Sequence, residues 1–456
     1  MFCNIEFGCI SASKSFEFVK NAIKAISDCS KYEYARTLDS LAEVLLPEAL
    51  AGYPSETYAK LMILRICNIL MLKHASYHGH LDVASMPLQL LLDPANTCQL
   101  QCPGCVHSPS LKDRFDWNTG VMSEKCYEKL SIEYAPFAMF AGFFNYGEPL
   151  INKRLPSMIS DAKALCLYTA VSSNLSLSFD IDALVASGLD YLTMSIDGAS
   201  QSTLERYRRR AKWDLIRRNM ERLVESKRRQ NSKLRLRWQF LTFDHNLHEV
   251  EEAIELAKNI GLDEIHVGPP FDVSWDDPNI KCAESKHAGF HIFTEDVTRT
   301  GPFPDAERLE NYKELVNRDF DLGWMGRINA KNIKDEMPAA RQTKTCDWLY
   351  YSITVDANER VLPCCAPPVK ERNLVFGDIW DSAGINAADF KLARMAFSDR
   401  ESYRAESENL NRKLFCADCP GSDEIQFDRK RQLPSSLYYL DKMVLLDHAA
   451  ILALAK

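Results

Sequence analysis

Between residues 87 and 270, short apolar runs alternate with stretches in which apolar residues recur every three to four positions. The runs are Leu88–Leu92, Phe137–Phe144, Leu167–Ser172, Tyr191–Ile196, Leu234–Phe243 and Glu264–Val267. Their length and flanking turn residues predict strands. The stretches near Ser123–Tyr134, Leu155–Leu165, Ile181–Ala186, Lys212–Lys227 and Leu247–Asn259 have helical period and predict amphipathic helices. Strict alternation predicts parallel crossovers, hence an α/β fold. Six strand–helix units fall short of the eight of a closed barrel, so the expected architecture is a partial (β/α)6 barrel of the TIM type.

The flanks have a different texture. Residues 1–86 read as a helical N-terminal extension, with helices at Phe16–Ser27, Leu38–Leu46 and Tyr58–His74. After Gly268-Pro269-Pro270 the alternation stops. Residues 271–345 are polar, carry turn signals at Asp276-Asp277-Pro278 and Gly301-Pro302-Phe303-Pro304, and read as a connecting or lid segment. Residues 346–425 form a small hairpin-and-helix module, in which Leu349–Val355 and Arg360–Leu362 flank the turn Asp356-Ala357-Asn358. Residues 426–456 end in an apolar helix from Ser436.

Of the 456 residues, 46% are hydrophobic and 26% charged, which excludes a disordered chain and implies a sizeable core. No apolar stretch is long enough for a membrane span; the nearest, Leu61–Leu72, is broken by Arg65. Met1–Ile10 lacks the basic and apolar regions of an export signal, so a cytoplasmic location with reduced thiols is expected. The net charge of −8 argues against a bulk nucleic-acid binder, yet Arg206–Arg237 holds 14 Lys and Arg against 3 Asp and Glu. That stretch is either the solvated face of a long helix or a docking patch for an anionic macromolecule.

The 15 cysteines carry the chemistry. Cys98, Cys102 and Cys105 stand in a C-x3-C-x2-C loop directly after the first strand, where barrel folds place active sites. Three thiolates on one loop can hold three irons of a four-iron cube and leave the fourth open. A zinc site would need a fourth ligand, and His107 would close an awkwardly short loop. In the C-terminal module, Cys346, Cys364, Cys416 and Cys419 could fully ligate a second 4Fe–4S cluster, with Cys365 spare, or could hold a zinc ion. Cys67, Cys126 and Cys166 read as core residues, and Cys3, Cys9 and Cys29 have no assigned role. Cys282, in the segment that could cover the barrel mouth, is a candidate hydrogen-atom donor.

In the order of these motifs the sequence resembles the radical SAM superfamily, from about Pro87 to Pro270. The Cys98/Cys102/Cys105 loop matches the family's cluster motif, whose open iron binds S-adenosylmethionine. Asn145-Tyr146-Gly147-Glu148-Pro149 resembles its Gly-Gly-Glu-Pro motif, with Tyr146 in place of the first glycine. The resemblance implies cofactor contacts at Tyr146, Gly147 and Glu148, at Ser173 and Asn174 closing the third strand, and at Ser195 and Asp197 closing the fourth. Gly104 stands where the family often has an aromatic residue beside the adenine, which moves that contact to His266 and Val267. The second cysteine set is similar to the twitch, or shortened SPASM, domain with its auxiliary cluster.

The resemblance implies reductive cleavage of S-adenosylmethionine to a 5′-deoxyadenosyl radical, fed by a reductant such as flavodoxin or ferredoxin. The radical abstracts hydrogen from a substrate carbon, and the auxiliary cluster is a candidate electron acceptor. Candidate substrate contacts are Asp197, Gln239, His266, Asp272 and Trp275. With no winged-helix peptide-binding domain apparent in the N-terminus, the expected substrate is a small carbohydrate- or cyclitol-like molecule, oxidised, dehydrated or epimerised. Two alternatives stand beside it: a maturase of a peptide, protein or RNA docked on the basic 206–237 face, and a non-enzymatic iron–sulfur or zinc protein.

Overall fold

The computed structural model describes residues 79–111, 118–270, 277–294, 306–322, 346, 348–366 and 373–419, with scattered positions between 55 and 76. The helices expected at Phe16–Ser27, Leu38–Leu46 and from Ser436 lie outside these residues, as do Cys3, Cys9, Cys29, Cys67, Asp272 and Trp275. No helix among the described residues is long and apolar enough to cross a membrane.

All six expected strands form: β1 Gln89–Leu92, β2 Phe140–Phe143, β3 Tyr168–Ser173, β4 Tyr191–Ser195, β5 Arg235–Leu241 and β6 Glu264–Gly268. Each pairs parallel to the next. Between them run α1 Glu124–Glu133, α2 Leu155–Ala164, α3 Ile181–Ala186, α4 Gln201–Tyr207, α5 Trp213–Arg229 and α6 Val250–Ile260. Short polar residues set the helix starts. The Ser123 hydroxyl accepts from Cys126 N–H at 3.1 Å, and the Asp180 carboxylate accepts from Ala183 N–H at 2.9 Å. Gly261, at φ 91°, ends α6 in the left-handed conformation that glycine adopts most cheaply.

Two features were not legible as sequence pattern. Gly289–Ile292 forms β7, antiparallel to β6, inside the segment expected to be a connector. The C-terminal hairpin, β8 Ser352–Val355 and β9 Arg360–Leu362, joins the same sheet: β8 lies parallel to β1, with Gln89 opposite Ser352. A short tenth strand, Gly377–Asp378, completes the order β10-β9-β8-β1-β2-β3-β4-β5-β6-β7. The hairpin's first arm is shorter than expected, because Trp348–Tyr351 is a helical turn rather than strand. The buried Arg394 guanidinium donates to the Leu349 carbonyl at 2.7 Å and holds that turn.

Side chains alternate across the sheet, and register carries one face from strand to strand. Val171, Leu192, Met194, Trp238, Phe240, Ile265 and Val267 share the helix-covered face and are all buried. Trp238 meets Trp213 of α5, and Phe143 meets Tyr127 of α1. The opposite face carries Ser172, Thr193, Ser195, Arg237, Gln239, Glu264 and His266, several of them half-buried. A partial barrel with an apolar outer seam and a polar inner face results.

Candidate functional site

The first thiol loop is braced from three strand ends. Asn96, fully buried, donates to the Asn118 carbonyl and to Asn358 Oδ1, both at 2.8 Å, and accepts from Gly120 N–H at 2.7 Å. Cys98 Sγ accepts from Leu100 N–H at 3.4 Å and from Asn174 Nδ2 at 3.6 Å. Cys105 N–H donates to the Cys102 carbonyl at 3.2 Å, closing a turn in which Gly104 has φ 75°. Glycine adopts that left-handed conformation without steric cost. Burial pushes the Cys98 and Cys102 thiols up to about 12, and the Arg208 guanidinium beside Cys102 works the other way. The three thiols influence one another electrostatically. Buried thiols of this kind are poor free nucleophiles and need a metal to ionise, and such soft donors with N–H···S support suit an iron–sulfur cluster.

The Tyr146-Gly147-Glu148 stretch packs against this loop through its backbone. Tyr146 and Gly147 N–H both donate to Asp93 Oδ1 at 3.3 Å, and Glu148 N–H donates to the Thr97 carbonyl at 2.8 Å. A Cβ on Gly147 would stand 1.9 Å from the Ala95 carbonyl oxygen, so this glycine is sterically required while Tyr146 is accommodated. The Glu148 carboxylate accepts from Ser173 Oγ at 2.7 Å, Asn174 N–H at 2.9 Å and Leu150 N–H at 3.1 Å. Burial raises it to about 7 despite those bonds.

The other expected contacts are distributed unevenly. Ser173 lies on the helix-covered face with its hydroxyl engaged by Glu148 and Leu175 N–H, so it braces the loop from behind. Asn174 touches Cys98 directly. Ser195 is on the inner face, 3.2 Å from Ser172 Oγ. Asp197, fully buried, accepts from Arg208 Nε at 2.5 Å and Leu241 N–H at 2.8 Å, which occupies both carboxylate oxygens. Gln239 and His266 are cross-strand partners hydrogen-bonded to each other at 2.9 Å. Burial, with Arg237 nearby, lowers the imidazole to about 4 and keeps it neutral. Val267, 1% exposed, faces the helices, so its side chain cannot share a contact with the His266 ring. Cys282 is exposed and pairs with Phe243 in an isolated antiparallel bridge just past β5.

Arg208 is the residue that sequence reasoning missed, hidden as one more cation in a basic run. Burial opposes its charge, but Asp197 and Cys102 hold it above the ordinary guanidinium range. It therefore places a fixed positive charge beside the first thiol set. Other members of the 206–237 run are also committed: Arg209 pairs with Asp277, Arg217 with Glu221, Lys227 with Asp263, Arg229 with Asp182, and Arg235 and Arg237 with Glu264. Arg206, Arg210, Lys212, Arg218, Arg222 and Arg228 are exposed and belong to none of these ion pairs, and Lys233 is exposed as well.

The second thiol set converges from three segments. Cys346 precedes the helical turn, Cys364 follows β9, and Cys416 and Cys419 lie on and just beyond the single turn Phe415–Asp418. Burial raises Cys364 well above the ordinary thiol range, with Cys365, Cys416 and Cys346 adding to the rise. Cys416 is raised likewise, by burial and then by Cys346 and Cys419. Ala366 N–H donates to Cys364 Sγ at 3.5 Å, and Cys365 is exposed.

No protein-family model matches the sequence. The PqqA peptide cyclase of Xanthomonas euvesicatoria pv. vesicatoria is 24% identical over 323 residues, spanning 66% of this chain and 76% of that protein. The PqqA peptide cyclase of Granulibacter bethesdensis is 22% identical over 314 residues, 65% of this chain and 74% of that protein. Among solved structures, Streptococcus suis SuiB bound to S-adenosylmethionine is similar with a TM-score of 0.46 and 12% identity, covering 88% of this chain and 87% of that one. With the ordered motifs at the strand ends and these sequence relatives, the chain is similar to radical SAM enzymes, which use S-adenosylmethionine and 4Fe–4S clusters, and its C-terminal cysteine module resembles the twitch/SPASM type.

Proposed function

We propose that this enzyme modifies a peptide, and that the small carbohydrate-like substrate expected from sequence gives way to the maturase alternative. The observation that carries this reading is the relationship, spanning 66% of the chain, to enzymes named as cyclases of the PqqA peptide. Cys98, Cys102 and Cys105 are assigned to the cluster that binds S-adenosylmethionine, and Cys346, Cys364, Cys416 and Cys419 to an auxiliary cluster. Among the described residues, no three His, Cys, Asp or Glu side chains are placed to hold a single metal ion.

When bound, the cluster and S-adenosylmethionine supply a carbon radical able to abstract hydrogen from an unactivated position. The chain's own residues hold and shield that chemistry. Asn174 and Leu100 N–H hydrogen-bond to Cys98 and would ease its negative charge. Arg208 sets a cation beside Cys102. Glu148 ties the second strand end to the third, fixing the loop that must present the cofactor. The polar inner face, with Ser195, Gln239 and His266 half-buried, is the surface available to the reacting segment.

Anaerobic reconstitution with iron and sulfide, followed by S-adenosylmethionine and a chemical reductant, tests the assignment. 5′-Deoxyadenosine should form, and Cys98→Ala should abolish it; no product from the reconstituted wild type would overturn the reading. Short synthetic peptides and a panel of cyclitols and hexoses then compete as substrates, with mass change as the readout. For a peptide docked at the basic surface, Arg218→Glu with Arg222→Glu should raise KM about tenfold or more at low salt, and the effect should shrink as salt rises. A KM unmoved by charge reversal places docking elsewhere.

A further inference from the structure

We propose that Tyr146 is a positioning residue coupling the two thiol sets, its phenol holding the Cys364–Ala366 turn against the motif that braces the Cys98–Cys105 loop. The inference rests on the cluster assignments above and concerns the one position where this chain departs from the family's glycine. Tyr146 is 7% exposed. Its hydroxyl donates to the Ala366 carbonyl at 2.6 Å, while Ala366 N–H donates to Cys364 Sγ at 3.5 Å. One residue of the C-terminal turn is thus gripped at both its carbonyl and its amide.

The backbone of Tyr146 reaches the other way. Its N–H donates to Asp93 Oδ1 at 3.3 Å, and its carbonyl accepts from His107 Nε2 at 2.8 Å, two residues past Cys105. A glycine at this position could keep the backbone bonds but could not span to Ala366. Cys364 and Cys365 are also among the groups that act electrostatically on the phenol, which places the ring beside the second thiol set. Hydrogen bonds and oriented dipoles next to sulfur ligands are levers on a cluster's reduction potential. Tyr146 is placed to use that lever on the C-terminal site while anchored at the N-terminal one.

The test compares full-length reconstituted Tyr146→Phe with the wild type. The variant loses one hydroxyl and keeps the ring and backbone. The cluster signal that responds to S-adenosylmethionine in electron paramagnetic resonance should persist. The midpoint potential of the second cluster should shift, and amide exchange at 364–366 should quicken about fivefold, the equivalent of one hydrogen bond of about 1 kcal/mol. Replacing Tyr146 with p-aminophenylalanine, which restores a donor at the same place, should return both quantities towards wild type. Unchanged exchange overturns the proposal. Faster exchange with an unchanged potential also overturns it, because Tyr146 would then only pack. A wild-type protein without a second cluster signal overturns the reading of the C-terminal thiols, and this inference with it, before any substitution is made.

Discussion

Glu148 shows how a single residue can carry a motif's meaning in an unexpected way. The sequence motif suggests a cofactor contact, whereas the carboxylate is spent on Ser173, Asn174 and Leu150. Its folded value of about 7 lies above the ordinary 4.5 because burial penalises the charge. The unfolded chain therefore binds fewer protons than the native one between those values. Stability contributed by the neutral form is fully present below pH 4.5 and declines as pH rises to about 7. Glu148→Gln should flatten that slope in urea titrations of the apo-protein between pH 4.5 and 7; an unaltered slope would mean that another group sets it. Legibility at this scale was mixed. Cysteine spacing was readable because ligands on one loop must be close in sequence. The direction of Val267 and the engagement of Asp197 by Arg208 depend on neighbours that no local pattern names.

Elements were easier to read than their joins. The strand–helix alternation was legible because each strand has its apolar face against helices and each helix has one apolar stripe. β7 escaped because Gly289–Ile292 is short, with an alternating half-buried pattern on an edge. The N-terminal segment is joined to the barrel through Arg65, 2% exposed, which no periodicity would single out. Its guanidinium donates to the carbonyls of Ala135, Pro136 and Leu165 at 3.2, 3.2 and 2.5 Å, just past the ends of α1 and α2. These carbonyls lie just beyond the C-terminal ends of the two helices, where a cation suits the negative pole of the dipole, and that of Ala135 also accepts from Ala138 N–H at 3.2 Å. Arg65→Ala should destabilise the protein by at least about 2 kcal/mol, since buried acceptors lose charged partners. The denaturation midpoint measures it, and a shift below about 0.5 kcal/mol would show the contact to be replaceable.

At the scale of the whole molecule, the decisive fact is the parallel pairing of β8 with β1. Residues 89 and 352 are brought side by side by strands that no local pattern could match, since register here is set by long-range contact. The pairing places Asp93 and Asp356 at neighbouring strand ends and makes the C-terminal module part of the barrel sheet. Both thiol sets therefore hang from one continuous framework, which is how a change in one can reach the other. If each set holds its own cluster, Cys416→Ser with Cys419→Ser should lower iron from about eight to about four atoms per chain after reconstitution. The signal that responds to S-adenosylmethionine should remain, whereas Cys102→Ser should remove it and leave the second cluster's signal. Because β8 is shared, losing the C-terminal ligands should also quicken amide exchange across β1, at Gln89–Leu92, more than across the distant β5. Iron analysis and exchange mass spectrometry on the same preparations decide the matter. Equal exchange in β1 and β5 would mean the module's metal and the barrel are independent, despite the sheet that joins them.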